Sequence, residues 1–389
     1  MKNNTKKIKA LTGGYAVAEA LRQVAPDVLA VYPITPQTPI IESFAKMRAD
    51  GDLDTEIMQV ESEHSAMSAT IGASAAGARA VTASSSQGIL YMAEMLPIAS
   101  GLRLPIVMAV SSRALSAPLN IHGEHGDVMA VRDMGWVQLF AQDAQEAYDH
   151  AVLSIKLAEE LELPVMPIMD GFHTSHTTER VEVLPDDVVR DFVGERRTEG
   201  SLMDQENPVS YGTLALQDTY FEFKIEQNKA LHKAGAAYAR ICRELSVMSG
   251  RKIEGSVESY HLDDAEFALV IMGATSGTAK EAVDALREKG KKVGLLRIKM
   301  YRPFPQKEVA RALAHLKSIA VFDRALSPGS YAPLYQDVVT TLHDSASFKH
   351  EIASYIYGLG GRDTLQKDIE KAFTELEDKD MSSKTRYLQ

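Results

Sequence analysis

Apolar residues in the first half of the chain fall in short unbroken runs, each giving way to a longer, often Ala-rich segment whose apolar positions recur three and four residues apart. "DVLAVY" leads into "PIIESFAKMRA", "EIMQV" into "HSAMSATIGASAAGA", and "RAVTA" into "GILYMAEMLPIAS". "PIVMAV" follows, and "AQEAYDHAVLSIKLAEEL" then leads into "PVMPIMD". Unbroken apolar runs predict strands covered on both faces, and the 3.6-residue period predicts helices between them. A further helix over "GGYAVAEALRQVA", opened by Gly13-Gly14, precedes the first run. Strands alternating with helices predict an α/β fold built on an open parallel sheet.

From about Asp186 to Asp264 the periodicity weakens. The stretch is polar and turn-rich, and one helical segment, "NKALHKAGAAYARICREL", is embedded in what reads as a linker. A fresh α/β unit starts at "EFALVIMG", continues through "ATSGTAKEAVDALREKG", "KVGLLRI" and "PQKEVARALAHLK", and reaches "SIAVFD". The expected organisation is therefore a first domain with its linker over residues 1–250, a smaller α/β domain over 262–375, and a charged C-terminal arm over 376–389.

Composition narrows the function classes. The 389 residues carry a formal net charge of -11, and the only basic cluster is the short "KKIK" near the N-terminus, so a nucleic-acid or membrane-surface partner is not expected. No apolar run approaches the roughly 18 residues of a membrane span, and the first residues lack a signal-peptide core, which predicts a cytoplasmic protein. Cys242 is the single cysteine. An iron–sulfur cluster takes about four thiolates, so this chain cannot hold one by itself.

In an open parallel sheet, the loops after the carboxyl ends of the strands converge on the ligand crevice. Four such loops are "PITPQT", "ESEHS", "SSSQG" and "SSRALSAPLNIHGEHGD". Together they offer the hydroxyl of Thr35, the carboxylates of Glu61 and Glu63, the group Ser84, Ser85, Ser86 and Gln87, and the guanidinium of Arg113. That set suits a small acid substrate and a cofactor with ring nitrogens. Two readings of Glu63 stand: a solvated residue at the positive end of a helix capped by Ser62, or a buried carboxylate facing a protonatable ring nitrogen. Small residues Ala66, Ala69, Ala73, Ala76 and Gly77 give that helix a face able to approach another backbone closely. Arg113 is either one half of a surface ion pair or the bidentate partner of an anionic ligand, and the nearly uncharged "ALSAPLN" after it favours the ligand. His122 and His125, with Glu124 and Asp127, have the look of a metal cluster, but Gly123 and Gly126 make the segment a loop, so hydrogen bonding is expected and no metal is assigned. "GATSG" reads as a plain βα turn rather than a phosphate cradle, because it lacks G-x-G-x-x-G.

The segments "YPITPQTPIIE", "VESEHSAMSATIGASAAGARAVTASSSQG", "RALSAPLNIHGEHGD" and "LPVMPIMDGF", continuing through "VIMGATSGTAKEAVD", "IKMYRPFP" and "VFDRALSPGS", resemble in order and spacing the alpha subunit of pyruvate:ferredoxin oxidoreductases. The resemblance implies an open parallel-sheet domain that binds the pyrimidine of thiamine diphosphate, followed by a smaller domain like the C-terminal domain of transketolases. It implies oxidative decarboxylation of pyruvate, with the acyl group passed to coenzyme A and electrons to ferredoxin. Glu63 is the implied catalytic carboxyl on the aminopyrimidine, Thr35 and Arg113 the substrate contacts, and Pro33, Ile34, Ser86 and Gln87 further cofactor contacts. The prolines at 33 and 36 then hold the backbone around Thr35. No Gly-Asp-Gly diphosphate motif occurs in the sequence, so Mg2+, the diphosphate site and the [4Fe-4S] clusters are expected on beta, gamma and delta-type partner subunits. Three rivals remain: the same chemistry on a branched-chain oxoacid or 2-oxoglutarate, a non-catalytic scaffold subunit, and a nicotinamide enzyme, the last disfavoured by the missing dinucleotide fingerprint.

Overall fold

Three of the apolar runs are buried at every position, as strands covered on both faces must be: Ala80–Ser84, Val107–Ser112 and Val165–Asp170. In this computed structural model the described residues are 6–196, 200–345, 351–378 and 385–388. The strands of the first half are β1 (Lys7–Thr12), β2 (Val28–Val31), β3 (Glu56–Gln59), β4 (Ala80–Ser84), β5 (Val107–Ser112), β6 (Val137–Phe140), β7 (Val165–Asp170) and β8 (Thr178–Val183). Those of the second half are β9 (Val257–Tyr260), β10 (Phe267–Ile271), β11 (Val293–Ile298), β12 (Met300–Arg302), β13 (Ser318–Asp323), β14 (Glu351–Ile356) and β15 (Thr385–Tyr387).

A seven-stranded sheet runs in the order β12-β6-β7-β5-β4-β2-β3, a six-stranded sheet in the order β15-β14-β13-β10-β11-β9, and β1 pairs with β8. Within the large sheet β2 to β7 are parallel, and only β12 is antiparallel. The fold is α/β, as the periodicity predicts. The two sheets are stitched together, which the periodicity does not reveal: β12 leaves the second sheet after Ile298 and joins the edge of the first, register Met300 to Leu139. Lys299, 2% exposed at this crossing, pairs with Glu146 at 2.9 Å. Arg297 bonds the same carboxylate through both Nη atoms, at 2.6 and 2.7 Å. Met108, Trp136 and Phe140 share one apolar cluster with Leu296, Val321 and Leu334, so the sheets bury each other's faces.

Several elements differ from the sequence expectation. The helix expected over 88–100 is two helices, Ser86–Tyr91 and Leu96–Gly101, the second opened by Pro97. The single helix expected near 228–245 is likewise two, Tyr220–His232 and Ala234–Ser249, and the first leaves only Ala230 buried. The supposed linker also holds the helix Asp186–Val193 and β9. Of the charged tail expected from residue 376, Leu376 and Glu377 finish the helix Gln366–Glu377 and Thr385–Tyr387 forms β15 beside β14, while 379–384 and 389 lie outside the described residues. Residues 1–5, the start of the stretch that lacks a signal-peptide core, also lie outside them. No helix among the described residues is long and apolar enough to cross a membrane.

Glycine at position 13 has a packing reason. A Cβ there would lie 2.5 Å from the carbonyl oxygen of Thr174, so the first helix can reach the turn after β7 only without one.

Candidate functional site

The four loops predicted to converge do so at the carboxyl ends of β2, β3, β4 and β5. Glu63 opens the helix Glu63–Ala75, and Ser62 caps it through its hydroxyl, 3.2 Å from Ser65 N. Both features of the competing readings are therefore present at once: Ser62 is the cap, yet Glu63 is 7% exposed. No donor or cation of the chain meets its carboxylate among the described residues. Glu61, by contrast, is exposed and spent on Ser65, whose hydroxyl lowers its pKa. Of the small-residue face, Ala66 and Gly77 are buried and Ala69, Ala73 and Ala76 half-buried, and at the end of the helix Leu202 N donates to Ala75 O at 2.8 Å.

Glu63 faces Gly88 in the "SSSQG" turn. A Cβ on Gly88 would lie 2.6 Å from Glu63 Oε1 and 2.6 Å from Ser84 Oγ, and the Ser84 hydroxyl is buried without a partner. A carboxyl and an unpaired hydroxyl thus converge over a residue with no side chain. That donor set fits an aminopyrimidine, which offers ring nitrogens and an amine. It does not fit a diphosphate, which the Glu63 carboxylate would repel. Among the described residues no group of three or more His, Cys, Asp or Glu side chains is placed to hold a metal ion.

Two residues earlier, Ser86 takes a left-handed backbone with φ 49°. A non-glycine residue there is strained, and strain of this kind clusters at functional sites. Asp127 holds it. Its fully buried carboxylate accepts from Ser86 N and Val128 N at 2.8 Å each, from Ser112 Oγ at 2.7 Å and from Arg113 N at 2.9 Å. Burial pushes the Asp127 carboxyl up, against the pull of those donors. The Ser86 hydroxyl reaches Ala114 O, and Gln87 Nε2 donates to Ser116 O at 3.4 Å, so this turn is tied to the loop that carries Arg113.

Arg113 is 6% exposed. Its Nη1 donates to Thr35 O at 2.8 Å and its Nε to Asn120 O at 3.1 Å. No carboxylate ion-pairs with the guanidinium among the described residues, and burial lowers its pKa from the ordinary arginine value. An incoming anion would offset the cost of that desolvation. Thr35 itself is exposed on the turn between Tyr32 and Pro36, with a cis bond to Pro36. It meets Arg113 through its carbonyl, while its hydroxyl meets no protein group among the described residues. Pro33 is exposed and Ile34 half-buried on the same turn, and Ile34 O accepts from Gln37 N at 3.0 Å. Ser86, Gln87, Arg113 and Thr35 are thus linked by hydrogen bonds directly or through Asp127 and Ala114, Glu63 adjoins them at Gly88, and Pro33 and Ile34 belong to the cluster only as parts of the turn.

The histidines go elsewhere. His125 Nε2 lies 2.9 Å from Asp170 at the end of β7, whose carboxylate also accepts from Arg324 at 2.7 Å and from Ala274 N at 2.7 Å. The anion at the "GATSG" helix start is therefore a carboxylate of the first sheet. His122 packs its ring on Phe172, 4.9 Å between centroids. Sequence reasoning missed the parts played by Asp127, Asp170, Arg324, Asn120 and Gly360. A faint signal existed for two of them, since Asp170 and Arg324 stand at or just past strand ends in "PVMPIMD" and "VFDRA".

Residues 19–241 match the family model of the pyruvate flavodoxin/ferredoxin oxidoreductase thiamine diphosphate-binding domain, and residues 265–369 match pyruvate:ferredoxin oxidoreductase core domain II. The chain is 51% identical over 368 residues to the pyruvate synthase subunit PorA of Thermotoga maritima, covering 94% of this chain and 93% of that one. It is 41% identical over 367 residues to the ketoisovalerate oxidoreductase subunit VorA of Pyrococcus abyssi, covering 94% and 92%. Among solved structures, a 2-oxoglutarate:ferredoxin oxidoreductase from Magnetococcus marinus superposes with a TM-score of 0.71 at 19% identity, over 96% of this chain and 66% of that one. A split-gene transketolase superposes with a TM-score of 0.56 at 11% identity, over 95% and 98%. At such identities the likeness is one of fold.

Proposed function

The chain belongs to the pyruvate flavodoxin/ferredoxin oxidoreductase family, and from that premise we propose that it is the alpha-type subunit of a cytoplasmic pyruvate:ferredoxin oxidoreductase, carrying the pyrimidine half of a shared thiamine diphosphate site. In this assignment residues 1–250 are the cofactor domain with its linker, 262–375 the transketolase-like domain and 376–389 the terminal segment. One observation carries the reading. Glu63 and Arg113 are both buried in a single loop cluster, and neither side chain forms an ion pair with an opposite charge of its own chain among the described residues.

Thiamine diphosphate, when bound, supplies a nucleophilic carbon and an electron sink for the 2-oxoacid. Glu63 and Ser84 orient the pyrimidine, with Glu63 holding a proton at a ring nitrogen. Arg113 binds the carboxylate of pyruvate, and the Thr35 hydroxyl serves as a donor to its carbonyl, so that an encounter becomes an oriented one. Ser86 and Gln87 fix the floor of the site. Partner subunits of beta, gamma and delta type supply the diphosphate grip with Mg2+ and the [4Fe-4S] clusters, deliver electrons to ferredoxin and admit coenzyme A. The buried state of Cys242, whose thiol burial pushes up to about 11, agrees with cluster ligation elsewhere. Around the site Tyr91 and Leu119 are 60% and 76% exposed, apolar surface of the kind that a partner chain covers.

A second reading, a branched-chain 2-oxoacid as substrate, draws on the 41% identity to the ketoisovalerate enzyme's subunit. Co-purification of the complex from its host, followed by turnover of pyruvate, 2-oxoisovalerate and 2-oxoglutarate, separates the two. Pyruvate is expected to give the highest kcat/KM by about tenfold, the scale of a few methylenes in a pocket. Preference for the branched acid would reassign the substrate, and purification of an active single chain would overturn the half-site.

A further inference from the structure

We infer that the glycine turn of the second sheet, Gly358–Gly361, positions the substrate arginine of the first through Asn120. The inference rests on the assignment of Arg113 to the oxoacid carboxylate and gives the second domain a part in the reaction.

The Arg113 guanidinium is oriented by two neutral acceptors on different loops, Thr35 O and Asn120 O, which leaves its second Nη without an acceptor among the described residues. Thr35 belongs to a short turn after β2. Asn120 sits in a long loop after β5, where the residues just before it, 116–119, are all exposed. Such a loop has little packing of its own to hold a carbonyl still. Its own domain closes the loop through Ala114 N, which donates to His122 O at 3.0 Å, and the other sheet holds Asn120 itself: Asn120 Nδ2 donates to Gly360 O at 3.0 Å, and Gly360 N donates to Glu124 Oε2 at 3.1 Å. The Asn120 side chain turns back to accept from His122 N at 2.7 Å. Both main-chain groups of Gly360 are thus spent on the loop that carries the Arg113 acceptor.

The approach is closer than any side chain permits. Gly358, Gly360 and Gly361 have φ of 61°, 60° and 81°. A Cβ on Gly360 would lie 2.5 Å from Asn120 Nδ2, and one on Gly361 would lie 2.4 Å from His122 Cβ. The turn is itself anchored, because Arg324 Nε donates to Gly358 O at 3.1 Å and Tyr357 N donates to Asp323 O at 3.1 Å. A rigid element 240 residues away in sequence therefore sets one of the two bonds that aim the guanidinium. Asn120 and Gly360 are positioning residues.

The test uses the assembled complex with two variants on opposite sides of the contact. Asn120→Asp keeps the acceptor for His122 N but turns an acceptor toward Gly360 O, and Gly360→Ala drives a methyl into Asn120. Each is expected to raise KM for the 2-oxoacid about tenfold while kcat stays within about threefold, because a bond that aims the carboxylate partner acts on ground and transition states alike. The double variant should be no worse than the worse single one. A structural role without positioning would lower the melting temperature and leave KM unchanged, and KM within about twofold of wild type in Asn120→Asp overturns the inference even if Gly360→Ala fails to assemble. Arg113→Lys is measured alongside. If it too leaves KM unchanged, the assignment of Arg113 fails; if it alone raises KM, only the positioning inference falls.

Discussion

Glu63→Gln in the assembled complex is expected to lower 2-oxoacid turnover by at least about a hundredfold, the lower end of what a positioned acid–base group contributes. That factor corresponds to about 2.7 kcal/mol of transition-state stabilisation. Glutamine keeps the volume against Gly88 and a hydrogen-bonding end, so the helix cap at Ser62 and the packing around it should survive. What it lacks is an ionisable proton to transfer to a ring nitrogen. Steady-state kinetics together with a melting curve separate the effects: turnover collapses while the melting temperature holds. A scaffold subunit would instead show unchanged turnover.

The second large effect falls on stability. Asp170 is 1% exposed between His125 and Arg324, whose Nη1 it meets at 2.7 Å. Burial acts to raise its carboxyl, but the charges of His125 and Arg324 and the bonds from His125 and Ala274 N outweigh that and hold it well below the ordinary carboxylate range. Removing the carboxylate leaves a buried guanidinium uncompensated, at a cost of about 3–5 kcal/mol. Asp170→Asn should therefore move the urea midpoint of the protein strongly, whereas Lys46→Ala, which opens the exposed pair with Asp50, should leave it in place. The pH dependence has a definite sign. A depressed folded value means the contribution is fully present above the unfolded value of about 4 and is lost as pH falls below it, so the gap between wild type and Asp170→Asn should narrow in acid. A gap that is constant across this range, or absent, would show that the pair does not hold the sheets together.

Both effects trace to residues whose legibility in the sequence differed. β5 could be read because "VMAVSS" is apolar until its last turn and buried throughout, and Arg113 follows it where a parallel sheet gathers its ligands. Glu63 could be placed for the same reason. β1, with no buried residue and paired only with β8, has neither signal, and β6 is a run of only four residues. Asp127 was visible as a neighbour of two histidines, but its work is to accept main-chain N–H groups from the "SSSQG" turn and from the start of its own loop, and no residue pattern encodes that. The contacts of Asn120 with Gly360 and of Asp170 with Arg324 join the two sheets, so they exist only once both have folded and docked. Thr35 was read for its hydroxyl, and the structure shows its carbonyl doing the structural part.

A structure of the assembled complex with thiamine diphosphate bound tests most directly whether two chains grip one cofactor. The expected result is a Glu63 carboxyl about 3 Å from a pyrimidine nitrogen, with the diphosphate and its cation held by the partner. A cofactor seated wholly within another chain, with Glu63 out of hydrogen-bonding reach, would contradict it.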